Sequence, residues 1–442
     1  MSITKESIAE IAEKIFELEV SHKLFDKKIN GVYFWKLVRF SVFKEIANAK
    51  GLYDSSSQAA VGVQNLYKNI LANFRLKPKV TDTLFVSHGR YYQDGASYKD
   101  MYIGKLIDDC KDSCSVLYPV NIESKYKLIG IDTINSDSFL FFLPRLLSAL
   151  KFEYLTLNKK DKGFLLELNK VFSVAFNLSK INKLQPHYVS TRVNRFKVHE
   201  YMYSRVLSSK KIKTIYLVCS YGLEALISAA QKLSVKVVEV QHGVMSRYHL
   251  GYSFPGMDVV PYFPDEFYGF SSYWYESTPL PIAQNKFKDF GFPYVKKQLG
   301  ANRCLVKKQD QVLFISQGDI GSELSMKAIQ FAQDNPDVKV VYRLHPNEVT
   351  ARYSNLPKFS NLHISDKSDS TSLYDYLFET EFVVGVFSTA LFEALHIGCK
   401  IQLVDQPGVE YMENLVDLGI TLVRGGDKIM ISNFRSIDVR FF

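Results

Sequence analysis

Two apolar runs in the second half of the chain end in residues suited to holding a phosphate. In VYRLHPNE (residues 341–348), Pro346 fixes its own backbone and biases His345 toward an extended conformation. The imidazole then projects from the end of the run, where it can donate to a phosphate oxygen, and Arg343 adds charge if its side chain faces the same loop. In FVVGVFSTALFEALHIG (residues 382–398) the run breaks into Ser388 and Thr389 and then a helical pattern. Either hydroxyl is a good N-cap, and the free N–H groups and positive dipole end of the helix attract an anion without lysine or arginine. A strand terminator and a plain N-cap are the bland alternatives; the pairing of the two loops is what favours a ligand.

Further candidates surround these loops. Glu393, one helical turn after Thr389, could reach ribose hydroxyls of a nucleotide, with a solvated or capping glutamate as the alternative. Ser316, Gln317 and Gly318 follow another apolar run and offer close backbone approach, although the loop does not match G-x-G-x-x-G. In VQHGVMSRYHLGY (residues 240–252), His242 follows an apolar run and precedes Gly243. An imidazole with an ordinary pKa near ~6.5 suits a general acid or base, with a core or capping histidine as the alternative. Glu224, Arg247 and His249 are candidates for binding an acceptor or a donor carboxylate. No D-x-D metal motif stands in a suitable strand-end loop, so metal-independent chemistry and no cofactor are expected.

The elements that position these residues follow a βαβ rhythm. From about residue 81, TLFVSHG, SVLYPVN, TIYLVCS, KVVEVQHG and EFYGFS resemble strands ending in polar loops, with helical stretches such as GLEALISAAQKL between them. A proline- and glycine-bearing stretch near residues 277–308 reads as a linker, after which the rhythm restarts through QVLFISQG, VKVVYRLHP, NLHISD, FVVGVFS and KIQLVD. The expected fold is α/β, two doubly wound Rossmann-like domains facing a cleft, at residues 81–285 and 286–442. Ligands of such sheets bind beyond the carboxyl ends of the strands, where the polar loops lie. Residues 1–80 read as helical; NGVYFWKLVRFSVFKEIANA interleaves aromatic and basic residues and VQNLYKNILANFRLKPK ends in a basic cluster, which suits either an interfacial membrane contact or a helical cap on a domain.

Composition bounds the rest. The 442 residues carry a net charge of +9, so anionic partners are expected, and residues 1–80 hold 13 Lys and Arg against 8 Asp and Glu, more than half of that surplus. No recognisable nucleic-acid module accompanies the charge, so a nucleic-acid-binding protein or scaffold is the weaker class. Five scattered cysteines are unlike a secreted disulfide framework and read as reduced and structural; Cys110 and Cys114 would approach each other on one helix. The start of the sequence lacks a signal-peptide pattern, and the greasiest stretch, SFLFFLPRLLSALKF, is interrupted by Pro144 and Arg145. A cytoplasmic protein is expected.

The ordered set of a Q-H-G loop, then His-Pro, then a Ser/Thr pair opening a helix resembles bacterial capsule and lipopolysaccharide glycosyltransferases of the GT-B type. The polysialyltransferase, sialyltransferase and β-Kdo transferase families are nearest in kind, with teichoic-acid glycerophosphotransferases as cousins. The resemblance implies that His345, Pro346, Ser388 and Thr389 contact the CMP part of a nucleotide-sugar donor. It also implies an acidic catalytic base followed by glycine early in the first domain; RYYQDGASY supplies Asp94 and Gly95, with Gln93 where the fuller motif has a second acidic residue. The implied acceptor is a glycan or lipid-linked glycan at the cytoplasmic membrane face, to which the enzyme is peripheral. A CDP-polyol transferase, or a transferase of another nucleotide sugar with the same fold, remains open on these residues.

Overall fold

The computed structural model describes residues 6–442 other than 54–79, 111–112, 120–122, 129–130, 136–156, 301–306, 319, 347, 349, 355 and 358. The basic cluster before residue 80, the greasy stretch at 138–152 and Cys304 therefore lie outside the described residues. The first sheet contains β1 (Thr83–Val86), β4 (Cys114–Tyr118), β5 (Asp132–Asn135), β6 (Thr214–Val218), β7 (Lys236–Val240), β8 (Glu266–Gly269) and β9 (Phe287–Asp289), in the order β5-β4-β1-β6-β7-β8-β9. The second contains β10 (Lys308–Ile315), β11 (Lys339–Arg343), β12 (Leu362–Ser365), β13 (Thr380–Gly385), β14 (Lys400–Val404) and β15 (Leu422–Val423), in the order β12-β11-β10-β13-β14-β15. Every neighbouring pair in both sheets is parallel. Helices cover such sheets on both faces, which is why β4 is buried at every position and why the strands read as continuous apolar runs.

Both sheets start in the middle and build outward in two directions. The strand order of the first reverses between β1 and β6, that of the second between β10 and β13. Crevices at such switch points are where doubly wound sheets take ligands. The loops that follow these four strands carry His88, Tyr221, Gln317 and Ser388. Two doubly wound, Rossmann-like domains facing a cleft are the GT-B architecture expected from the sequence.

Three features depart from the sequence reading. Tyr91–Asp94 and Ser97–Asp100 pair as an antiparallel hairpin (β2 and β3) in what reads as a plain loop. The stretch taken as a linker contains β9, which completes the first sheet beside β8. Cys110 closes one short helix and Cys114 opens β4, so they do not share a helix.

The N-terminal helices α1 (Ile8–Ser21) and α2 (Phe34–Ala49) pack on protein. Phe34, Trp35, Val38, Val42 and Phe43 of α2 are buried, so the aromatic residues that suggested a membrane face form core instead. Arg39 and Glu19 form a buried ion pair between the helices, Trp35 Nε1 donates to the same carboxylate at 2.8 Å, and Arg39 Nη1 donates to the Ser253 carbonyl at 2.9 Å. That last bond ties α2 to the segment after β7. At the other end of α1, the Ile8 N–H donates to Glu410 of the second domain at 2.8 Å. The domains also meet through rings: Trp274 lies 4.7 Å from Phe392, and Phe441 packs on both Tyr273 and Phe392 at 5.0 Å.

Candidate functional site

A cavity of about 240 Å³ opens between the two sheets. His242, Gly243, Val244 and His249 line it from the first domain, Gln317, Phe387, Ser388, Thr389 and Tyr411 from the second, and Phe40, Phe43, Lys44 and Tyr53 from α2 and the segment after it. The walls are largely aromatic. Phe387 and Tyr411 meet edge to face at 5.4 Å, and Gly408, at φ +98°, lets the Phe387 ring approach: a Cβ there would fall 2.3 Å from it. Flat apolar walls of this kind accept a base or a sugar face.

His242 is fixed by a chain of hydroxyls. Tyr252 donates to Glu239 Oε1 at 2.9 Å and lies 2.8 Å from His242 Nδ1. A phenol has one hydrogen, so with Tyr252 donating to the carboxylate, His242 Nδ1–H donates to Tyr252. His242 Nε2 is then the acceptor, and it faces the Tyr221 hydroxyl at 3.2 Å. Burial, reinforced by the Arg90 cation and by the neighbouring rings of His88 and His249, which resist a second charge beside them, holds this imidazole well below the ordinary histidine range, so it is neutral near pH 7. Glu239 is wholly buried, accepts the Ser220 N–H at 2.9 Å, and is pushed up by that burial.

His88 stands beside His242, ring centroids 4.9 Å apart, and is also held down by burial and by Arg90. The sequence carries the signal that finds it: Ser-His-Gly after β1 repeats Gln-His-Gly after β7, two strands away in the same sheet. Tyr221, Tyr252, Glu239 and Arg90 have no such local signature; they converge only through the fold.

On the second domain, Ser388 caps helix α3 (Thr389–His396), its hydroxyl accepting the Ala390 N–H at 3.3 Å. A Cβ on Gly243 would lie 3.4 Å from Thr389 Oγ1, so the His242 loop and the helix start touch across the cleft. Gln317 donates to the Phe387 carbonyl and joins the loops after β10 and β13. The structure thus brings His242, His249, Gln317, Ser388 and Thr389 together.

His345 and Pro346 follow β11, one strand farther out, and do not line the cavity. Their turn is built on Glu348, whose Oε2 accepts the His345 N–H at 2.7 Å and whose Oε1 accepts from Ser316 at 3.1 Å and from Tyr353. Ser316 is buried in that support and does not line the cavity. Gly318 lies against Glu348, and Gly321 is required beside it, since a Cβ would fall 2.3 Å from the carboxylate. Arg343 turns the other way, donating from Nη1 to Ser365 Oγ at 2.7 Å and to the Asp366 carbonyl, so it ties β11 to β12 and offers no charge to the cleft.

Other candidates resolve differently. Asp94 sits on the hairpin between Lys297 and Lys99, the latter at 2.9 Å; these hydrogen bonds hold its carboxyl below the ordinary range, and it does not line the cavity. Arg247 pairs with Glu13 at 2.7 Å on the surface and joins α1 to the segment after β7. Glu224 accepts the Gly222 N–H at 2.9 Å and faces a different cavity. His249 stacks between Phe40 and Tyr252, and burial holds it down to about 4. Glu393 is buried instead of reaching outward, which raises its carboxyl to about 7 despite the Tyr374 hydroxyl and the Arg90 cation nearby. Arg90 therefore works on His88, His242 and Glu393 alike, from an exposed position, with no ion pair within 4.0 Å among the described residues. Lys44 is likewise exposed and lies over the Phe40 ring at 5.4 Å. Among the described residues, no group of three or more histidine, cysteine or acidic side chains is placed to hold a metal ion. None of their helices is long and apolar enough to cross a membrane.

No protein-family model matches the chain, and no curated protein does. Solved structures similar to it include a UDP-GlcNAc 2-epimerase from Neisseria meningitidis bound to UDP-GlcNAc, 13% identical over 80% of this chain and 88% of that one, with a TM-score of 0.42. The glycosyltransferase SnogD from Streptomyces nogalater is 12% identical over 80% and 90%, at a TM-score of 0.42. The wall teichoic acid polymerase TagF is 9% identical over 83% and 78%, at a TM-score of 0.40. At these values the likenesses decide neither family nor chemistry; the fold rests on the two sheets.

Proposed function

We propose that this chain transfers a sugar from a nucleotide-activated donor to a glycan or lipid-linked glycan in bacterial surface-polysaccharide assembly, with a CMP-activated acidic sugar of the sialic acid or Kdo type as the donor. The observation that carries the reading is the make-up of the cleft cavity. It joins a capped helix N-terminus, the cation Lys44, which has no ion pair among the described residues, aromatic walls and a neutral, doubly anchored imidazole at the switch points of two doubly wound sheets. A helix N-terminus with a lysine suits a phosphate, and aromatic rings suit a base.

In this reading the donor phosphate lies at the start of α3, near Ser388 and Thr389, with Lys44 and Arg90 supplying charge. His345 and Pro346 shape the loop behind it through the Glu348 turn. The acceptor hydroxyl approaches His242 Nε2, at or in place of the Tyr221 hydroxyl. As its oxygen bonds to the anomeric carbon, the bond from that carbon to phosphate breaks and the nucleotide leaves with the electron pair. The proton passes to His242. Glu239, through Tyr252, stabilises the imidazolium, and the phosphate anion raises its basicity further. A lipid-linked acceptor places the enzyme at the cytoplasmic membrane face, in keeping with the +9 net charge.

The test is a donor-hydrolysis panel: CMP-sialic acid, CMP-Kdo, CDP-glycerol, UDP and GDP sugars, with the natural chain and His242→Ala. Hydrolysis of a CMP sugar, lost in the variant, supports the proposal; preference for CDP-glycerol or a UDP sugar replaces the donor, and no turnover of any removes the transferase reading.

A further inference from the structure

We infer that a second cavity, across Tyr221 from His242, is a subsite for a carboxylate-bearing sugar residue, the acidic end of the acceptor. The word acceptor rests on the transferase reading; the binding does not. This cavity measures about 150 Å³, and Lys36, Arg192, Tyr221, Glu224, Phe40 and Ser41 are among its walls. Phe40 also lines the cleft cavity and Tyr221 reaches the His242 ring, so the two spaces share a wall. At ~30 Å³ per water, the volume is that of about five waters, room for one sugar ring.

Lys36 is 6% exposed and lies over the Phe254 and Phe263 rings at 4.5 and 5.4 Å. Glu224 and Glu239 lend it favourable charge, yet among the described residues no carboxylate comes within 4.0 Å of its ammonium. Burial without such a partner brings Lys36 down to about 8. Its neighbour Arg39 is the contrast, held by both Glu19 oxygens and by the Ser253 carbonyl. Among the described residues, Arg192 donates to the Leu37 carbonyl, at 3.4 Å. A buried cation without a counter-ion calls for an anion from outside.

Glu224 narrows the class. With one oxygen on the Gly222 N–H, it still accepts hydrogen bonds into the cavity. A fitting ligand brings an oxyanion to Lys36 and hydroxyl donors to Glu224. A sugar acid carries both, spread across one ring, whereas inorganic phosphate brings more negative charge against Glu224 and lacks hydroxyls set several bonds from its anionic oxygens. A residue seated here lies next to Tyr221, where a hydroxyl can be handed to His242.

The experiment is calorimetric titration of the intact chain, without nucleotide, with glucuronate, galacturonate and N-acetylneuraminate, and with glucose, galactose and inorganic phosphate. At least one sugar acid should bind, with its neutral counterpart at least tenfold weaker. Lys36→Met, which removes the ammonium held over the two rings and keeps a side chain of similar length, should weaken that binding tenfold or more, while Ser388→Ala, in the nucleotide cavity, should not change it. Should Lys36→Met fail to fold, Ser41→Leu, filling the cavity from its rim, should abolish binding. Absence of sugar-acid binding, equal binding of neutral sugars, binding of phosphate alone, or full binding by both cavity variants would overturn the subsite. Sugar-acid binding in a chain that hydrolyses no nucleotide sugar would keep the subsite and remove the transferase reading.

Discussion

Glu393→Gln should leave stability unchanged at pH 4 and raise it at pH 8. Burial lifts the Glu393 carboxyl from 4.5 to about 7 in the folded chain. Between those values the folded state holds a proton that the unfolded state has released, so the stabilisation is complete below pH 4.5 and is lost as pH rises through 7. At 1.36 kcal/mol per pKa unit, the ionised wild type gives up about 3 kcal/mol by pH 8, and glutamine gives up none. Urea midpoints for both proteins at pH 4, 6 and 8 measure the difference directly, because groups common to both cancel. Arg90→Gln should widen it, since that cation favours the ionised carboxylate. A difference between wild type and Glu393→Gln that does not vary with pH would refute the assignment of a raised, buried carboxyl.

Four further outcomes follow from particular residues. Glu19→Gln strips the buried Arg39 of its counter-charge and should cost ~3–5 kcal/mol in urea denaturation. Glu348→Gln weakens the charge-assisted bonds to the His345 N–H, Ser316 and Tyr353, and should cost about 2 kcal/mol while lowering nucleotide affinity through the misplaced turn. Tyr252→Phe leaves His242 Nδ1–H without its acceptor; at ~1–3 kcal/mol for an unmet buried donor, donor turnover should fall roughly 5- to 150-fold in kcat with KM little changed. Because His242 is held well below its usual range, the acid limb of kcat/KM should lie below pH 6.5 in the wild type.

The sheets were legible because parallel strands buried on both faces leave largely apolar runs, and β1, β4, β6, β10, β11 and β13 read that way, as does β7 despite Glu239 within it. The hairpin at Tyr91–Asp100 escaped because its paired residues are all polar or tyrosine, with Asp100 alone among them buried. His242 and the Ser388 cap were legible since a histidine or hydroxyl after an apolar run has few other places to go. Arg343 misled for a related reason: a charged residue at a strand end can turn to the neighbouring edge as well as to the cleft, and only the Ser365 and Asp366 acceptors decide which. Glu393 misled because helical spacing fixes a face but not what lies over it. The aromatic content of α2 looked interfacial because core and membrane select the same side chains; Arg39 marks the core, being buried with a counter-ion. His88, Tyr221 and Tyr252 come from three separate loops and meet only at one end of one sheet.

The most direct test of the central claim, a nucleotide held at the start of α3 in the cleft, is calorimetric titration with CMP, CDP, UDP and GDP of the natural chain, Ser388→Ala and Lys44→Ala. Near 100 times its Kd, a bound nucleotide adds about 2.7 kcal/mol of stability, so occupancy should also show as a raised unfolding temperature. CMP should bind the natural chain, and each substitution should weaken it severalfold. Binding of no nucleotide, or binding that both substitutions leave intact, would contradict the site.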